Sequence, residues 1–304
     1  MKREVWPVMI TPFTNDGKVD YGALRALIEW YEAAGVDGLF AVCQSSEMFF
    51  LTLEERVDIA AFVKKHASVP VIASGHVSDS VEGQIDEMRR IGETGVDALV
   101  FVTNRFAKEN EGAEAFRMNM EKVMAGLDAA IPLGLYECPY PYKRLMREED
   151  VRFCAESGRF SFLKDTCCDI EVIGKRLEIM SGSGFKLYNA NTTTLLESLK
   201  IGAAGFSGVM ANFHPELYVK LCRVVGQACN AEDCCVSEAE ALQALLTLCS
   251  MIERQCYPVN AKYHLKELGV INSTFTRSRS DKELTVTFMD EVRQMNEMIR
   301  RMGL

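Results

Sequence analysis

The stretch FSFLKDTCC, residues 160–168, sets Lys164 among Phe160, Phe162 and Leu163 in what reads as a short buried strand. A lysine in a core costs on the order of several kcal/mol unless it is paired or deprotonated. Desolvation lowers its pKa toward neutrality, and a neutral amine attacks a ketone carbon to form an imine. The run IPLGLYEC ends in Tyr136, a hydroxyl able to carry a proton one strand away. Other polar groups close further apolar runs: Thr11, Gln44-Ser45-Ser46-Glu47, His76, Thr103-Asn104-Arg105, Glu137, Asp165-Thr166, Asn189, Asn191 and Asn212. The competing reading has Lys164 reach the rim of the fold or pair with Glu47 or Asp165.

Apolar runs rich in Val, Ile, Leu and Phe alternate with stretches of helical period, giving eight strand–helix units by about residue 228. VDGLFAVC precedes TLEERVDIAAFVKKHA, and VDALVFVT precedes GAEAFRMNMEKVMAGLD. GVDG at Gly35, GVDA at Gly95 and GAAG at Gly202 mark helix-to-strand turns, where a residue tolerant of positive φ is needed. Continuous apolar strands between helices imply a parallel sheet covered on both faces. Eight units without a Gly-x-Gly-x-x-Gly after the first strand predict an α/β fold, a closed (β/α)8 TIM barrel, over residues 1–228. Residues 229–304 read as a C-terminal helical extension ending in a Met-rich helix. In such barrels chemistry sits where the strands end at their C-terminal side. Alternation puts Phe160, Phe162 and Lys164 on one face, with Lys164 at the top of the barrel interior.

The 304 residues carry a net charge of −9, and Lys and Arg are scattered, so the electrostatic footprint of a nucleic-acid binder is missing. No apolar run approaches the roughly 18–20 residues that span a bilayer. MKREVWPVMITPF has no signal-peptide core, and eleven cysteines without a secretory signal predict reduced thiols in the cytoplasm. The four histidines are dispersed, which disfavours a metal site and with it a metal-dependent barrel hydrolase. The adjacent pairs Cys167-Cys168 and Cys234-Cys235 read as structural or surface thiols, and Cys138 as a small buried hydrophobe. Tyr140-Pro141-Tyr142-Lys143-Arg144 reads either as a pocket lip or as a loop that docks on a neighbour.

The FLKDT of strand 6 resembles the Schiff-base strand of the dihydrodipicolinate synthase/N-acetylneuraminate lyase family of class I aldolases. The resemblance spans nearly the whole chain. It includes Pro7 to Phe13, Asp16-Gly17, Ser46-Glu47 with Leu51-Thr52-Leu53-Glu54-Glu55-Arg56, and Leu135-Tyr136 with Pro139. It continues through Gly202-Ala203-Ala204-Gly205 and Pro258-Val259-Asn260-Ala261-Lys262. It implies a homotetramer or dimer that acts on pyruvate or a 2-keto acid and an aldehyde, with no metal or organic cofactor. Lys164 would form the imine and Tyr136 would move the proton. Gln44, Ser45, Ser46, Ala190, Ser207, Arg105 and Glu137 are the expected substrate contacts.

Departures from the family pattern bear on the substrate. The carboxylate loop, usually Gly-Thr/Ser-Thr-Gly-Glu, is here Cys43-Gln44-Ser45-Ser46-Glu47, and Gln44 replaces a relay hydroxyl that glutamine cannot imitate. The relay tyrosine donated across the subunit interface aligns with Phe106. The arginine that grips the aldehyde's carboxylate falls on Pro141, with Lys143 or Arg144 as substitutes. The acidic sugar-binding pair of the lyases falls on Thr192-Thr193, and the pocket glycine after strand 7 on Ala190. These departures argue against a true dihydrodipicolinate synthase. They leave open a lyase for a 2-keto-3-deoxy sugar acid, a keto-acid binder with little turnover, and a synthase with a rearranged relay.

Overall fold

A computed structural model describes residues 2–227 and 233–304. The strands are β1 (Glu4–Val5), β2 (Leu39–Ala41), β3 (Val71–Ala73), β4 (Ala98–Val102), β5 (Leu133–Tyr136), β6 (Phe160–Asp165), β7 (Lys186–Asn189) and β8 (Gly205–Phe206). The helices that follow them are α1 (Tyr21–Ala33), α2 (Leu53–His66), α3 (Val81–Gly92), α4 (Ala113–Ala125), α5 (Glu148–Ser157), α6 (Ile170–Met180), α7 (Leu195–Lys200) and α8 (Pro215–Gln227). All strand pairs are parallel, in the order β1-β8-β7-β6-β5-β4-β3-β2. The ring closes just beyond β1, where Val8 bridges Phe40 and the Met9 amide donates to the Phe40 carbonyl at 3.0 Å. This is a (β/α)8 barrel, as the alternating pattern predicts.

Local signals account for the helix boundaries. Thr52 and Glu55 form a reciprocal capping box at the start of α2, and Asp20 caps α1 through the Ala23 amide. Gly35 and Gly95 take φ of 82°, and Gly202 takes 120°, so each of the expected turns does need the freedom of glycine. At the β1–β8 seam, a Cβ on Gly205 would stand 1.8 Å from the Glu4 carbonyl oxygen, so only glycine lets the two strands approach.

The barrel interior is aromatic below the site. Phe162 stacks on Tyr188 at 4.4 Å and meets Trp6 and Phe40 edge-on at 5.7 and 6.0 Å. Phe160 does not share that face. The β5–β6 register jumps from Leu133↔Phe160 to Gly134↔Phe162, an extra residue on β6 that reverses the alternation, and Phe160 packs instead on Phe101 and Phe185. Past α8 come α9 (Asp233–Cys249), a 3-10 turn (Ser250–Arg254), α10 (Val259–Glu267) and α11 (Val286–Arg301). The expected 228/229 boundary and the Cys234-Cys235 side chains lie outside the described residues. The final helix buries Val292, Met295 and Ile299 as one stripe. No helix among the described residues is long and apolar enough to cross a membrane.

Candidate active site

The C-terminal ends of the strands surround a cavity of about 500 Å³. Lys164 and Tyr136 line it together with Gln44, Ser45, Ala190 and Asn191. The register sets this meeting: Tyr136 is the direct partner of Lys164, which is itself the partner of Tyr188. Lys164 is 3% exposed, and its Nζ lies 4.1 Å from the centre of the Tyr136 ring. Both carboxylates of the competing reading are engaged elsewhere. Glu47 is held by Lys262 at 2.6 Å, and Asp165 pairs with Arg176. Among the described residues the Lys164 amine makes no hydrogen bond and no ion pair. Burial without a counter-charge pulls its pKa from 10.5 to about 8, against weaker opposing fields from Cys43, Cys138 and Glu253.

Burial also holds the Tyr136 hydroxyl protonated well above its ordinary range. That hydroxyl donates to Gln44 Oε1 at 3.1 Å, and the Cys138 thiol donates to the same oxygen at 3.2 Å. Cys138 is buried, and this link gives its thiol a polar role beside the packing the sequence predicts. Gln44 therefore offers one hydrogen-bond acceptor shared by two donors.

The residues 44–46 form a 3-10 turn, with positive φ at Val42 (49°) and Glu47 (61°) rather than where the family's glycines stand. Left-handed backbone at a β-branched residue is strained, which the surrounding contacts must hold. Ser46 faces away from the cavity: its Oγ donates to the Met9 carbonyl at 2.6 Å and accepts the Cys43 amide at 3.0 Å. Ser45 is the hydroxyl that reaches the cavity, whose wall it shares with Tyr257. Tyr257 in turn accepts from Asn212 Nδ2 at 3.0 Å, and Asn212 accepts from Tyr31.

Three further expected contacts stand outside the cavity. Glu137 follows Tyr136 on β5, so its side chain points the opposite way and is fully buried. There it accepts from Arg176 at 2.7 Å and from the Met146 and Thr166 amides at 2.7 and 2.9 Å. Arg105 spends its guanidinium on the Val77 carbonyl and Asp79, behind the Phe49 ring. Ser207 donates to the Trp6 carbonyl at 2.9 Å, stitching the barrel seam. Phe106 is fully buried among His76, Phe101 and Phe116 of its own barrel, so it is not a group offered across an interface. Of the two cations considered for the lip, Lys143 lines the cavity, whereas Arg144 donates to the carbonyls of Lys108, Glu111 and Gly112. Tyr140 also lines the cavity, so two residues of the Tyr140 to Arg144 run stand at its lip. His76 is structural, its ring holding Gln84 and the Val102 amide at 2.9 Å each. Among the described residues no three His, Cys, Asp or Glu side chains are grouped to hold a metal ion.

Glu253, Tyr257, Pro258, Ser278 and Arg279 complete the wall, all from the C-terminal extension. The resemblance singled out Pro258 only as a motif residue; nothing local in the sequence marks the other four. The extension is fixed to the 44–47 turn by Glu47, which receives Lys262 and the amides of Arg277 and Ser278 at 2.6 and 2.8 Å.

Residues 1–285 match the model of the dihydrodipicolinate synthetase family. The chain is 27% identical over 274 residues to the 4-hydroxy-tetrahydrodipicolinate synthase of Saccharophagus degradans, covering 89% of this chain and 90% of that one. It is 30% identical over 223 residues to the synthase of the same name from Neisseria meningitidis serogroup C, covering 72% and 74%. Its backbone resembles that of YagE, a prophage protein of the dihydrodipicolinic acid synthase family from E. coli K12 solved with pyruvate. The TM-score is 0.86 at 22% identity, over 98% of each chain. The pyruvate complex of the Acinetobacter baumannii dihydrodipicolinate synthase gives 0.84 at 22% identity, again over 98% of each. At these identities the likeness to the solved structures concerns the fold, whereas the family match runs through the strand ends that carry Lys164, Tyr136 and the 44–47 turn. The chain belongs to the dihydrodipicolinate synthetase family, whose members are class I aldolase-type lyases acting on pyruvate.

Proposed function

We propose that this chain is a Schiff-base lyase or aldolase for pyruvate or a 2-keto-3-deoxy sugar acid, with Lys164 as the imine-forming residue. The observation that carries the reading is a buried, unpaired lysine with pKa near 8 in van der Waals reach of a tyrosine ring inside the strand-end cavity. The Lys164 amine adds to the keto carbon, and loss of water leaves an iminium. Cleavage of the C3–C4 bond, in which the C4 hydroxyl gives up its proton and the aldehyde departs, or loss of a C3 proton, sends the electron pair into the iminium nitrogen. The resulting enamine takes up a proton or an aldehyde, and water then releases the 2-keto acid and the free amine. Tyr136 carries the proton to and from the reacting oxygen, and Ser45 with Tyr257 receives the keto-acid carboxylate. This chemistry needs no metal or organic cofactor.

The second reading is a genuine 4-hydroxy-tetrahydrodipicolinate synthase, favoured by the names of the relatives. Gln44 in the relay position and a buried Phe106 favour the first. Supporting a cytoplasmic homo-oligomer, dimer or tetramer, are the eight described cysteines, all of them free thiols, and the family's usual assembly. Treatment with pyruvate and borohydride tests the imine: a reduced pyruvyl adduct is expected on the peptide bearing Lys164 and is lost in Lys164→Ala. No adduct across a panel of 2-keto acids, or an adduct on another lysine, refutes it. Turnover of that panel, with Tyr136→Phe as control, separates catalysis from binding alone.

A further inference from the structure

Glu253 sits on the 3-10 turn between α9 and α10 and lines the cavity that holds Lys164. Its carboxylate has no hydrogen bond and no ion pair among the described residues, unlike the other acidic group of the wall, Glu47, which Lys262 occupies. Burial raises its pKa, and its field reaches Lys164, Tyr257 and Cys168 at the mouth. A half-buried carboxylate without a protein partner is free to accept a hydrogen bond from a group that enters the cavity. A carboxylate-terminated aldehyde meets like charge at Glu253 itself, with the cations of Lys143 and Arg279 elsewhere on the wall. An ammonium meets the iminium cation that the reaction forms on Lys164. A neutral hydroxyl meets neither.

We propose that Glu253 is a specificity-determining residue that accepts a hydrogen bond from a hydroxyl on the aldehyde half of the substrate. This rests on the Schiff-base reading of the site and assigns the substrate class as hydroxylated aldehydes, the halves of sugar acids. A hydrogen bond to a charged acceptor corresponds to roughly 10- to 100-fold in kcat/KM.

The test is aldol addition of pyruvate to glyceraldehyde, propionaldehyde and succinic semialdehyde. The unmutated protein is expected to favour glyceraldehyde over propionaldehyde by roughly 10- to 100-fold. Glu253→Leu collapses that ratio toward one and raises relative use of succinic semialdehyde, while Glu253→Gln retains part of the preference. A ratio near one in the unmutated protein, or a preference preserved in Glu253→Leu, overturns the assignment. Should Glu253→Leu fail to fold, the unmutated ratio and the isosteric Glu253→Gln decide. Borohydride trapping of pyruvate on the unmutated protein separates the two claims. No adduct sinks the Schiff-base reading, whereas an adduct with no hydroxyl preference sinks the role of Glu253 alone.

Discussion

Replacing Lys164 with methionine should stabilise the fold, and the gain should vanish at high pH. In the native state the amine has a pKa of about 8, against 10.5 for an ordinary lysine. At about 1.4 kcal/mol per tenfold change in proton affinity, holding the proton in the barrel costs about 3 kcal/mol relative to the unfolded chain. The sign follows from linkage. Between pH 8 and 10.5 the unfolded chain keeps the proton and the native protein has lost it, so native stability rises with pH across that window. Below pH 8 the full cost is present; above 10.5 it is gone. Lys164→Met should therefore gain about 3 kcal/mol at pH 7, or roughly 5 °C in melting temperature for a chain of this length. Lys262 also falls to about 8, but both proteins keep it, so the difference between their urea midpoints isolates Lys164. Equal stability at pH 7, or a gap that does not close as pH rises to 10.5, refutes the argument. The same pKa leaves about a tenth of the amine neutral at pH 7, against about one part in three thousand for an exposed lysine. Adduct formation with pyruvate should accordingly rise with pH and level off above 8.

Lys262→Met strands Glu47 in the interior with only two backbone amides, and should cost about 3–5 kcal/mol in urea denaturation. It should also speed hydrogen exchange in residues 275–278; unchanged stability would show that the clamp is not what holds the extension. Gly205→Ala forces a Cβ onto the Glu4 carbonyl and should prevent closure of the barrel. Gly184→Ala, with nothing within 4 Å, is the control and should stay within about 0.5 kcal/mol of the parent. Soluble, fully folded Gly205→Ala protein would contradict the packing at the seam.

The sequence makes some parts of this site readable because a strand end fixes where its side chain goes. Lys164, Tyr136, Gln44, Ser45 and Ala190 all close apolar runs, and all five line the cavity. Glu137 is a strand-end residue too, but it faces the other side of the sheet, and Ser207 spends its hydroxyl on the Trp6 carbonyl at the seam. The same period-two alternation that brings Tyr136 inward turns Glu137 outward, so the two together were never compatible with one pocket. Arg105 and Phe106 lie in a loop whose direction is decided by Asp79, Phe101 and Phe116, residues distant in the chain. The bulge at the start of β6 has no marker in FSFLKD, so strict alternation puts Phe160 on the wrong face. Glu253, Tyr257 and Arg279 reach the site only because of how the extension docks, and helical periodicity carries no information about that placement.

The clamp between Glu47 and Lys262, 215 positions apart, means that the cavity is assembled from two parts of the chain. Lys164, Tyr136 and the 44–47 turn are inherited with the barrel, while Glu253, Tyr257, Ser278 and Arg279 are inherited with the C-terminal extension. Recombination between relatives at a point between α8 and α9 would keep the reaction intact and exchange the far wall around it. Such a chimera closes properly only if its Lys262 and Glu47 equivalents match, so that one buried ion pair decides which halves are interchangeable.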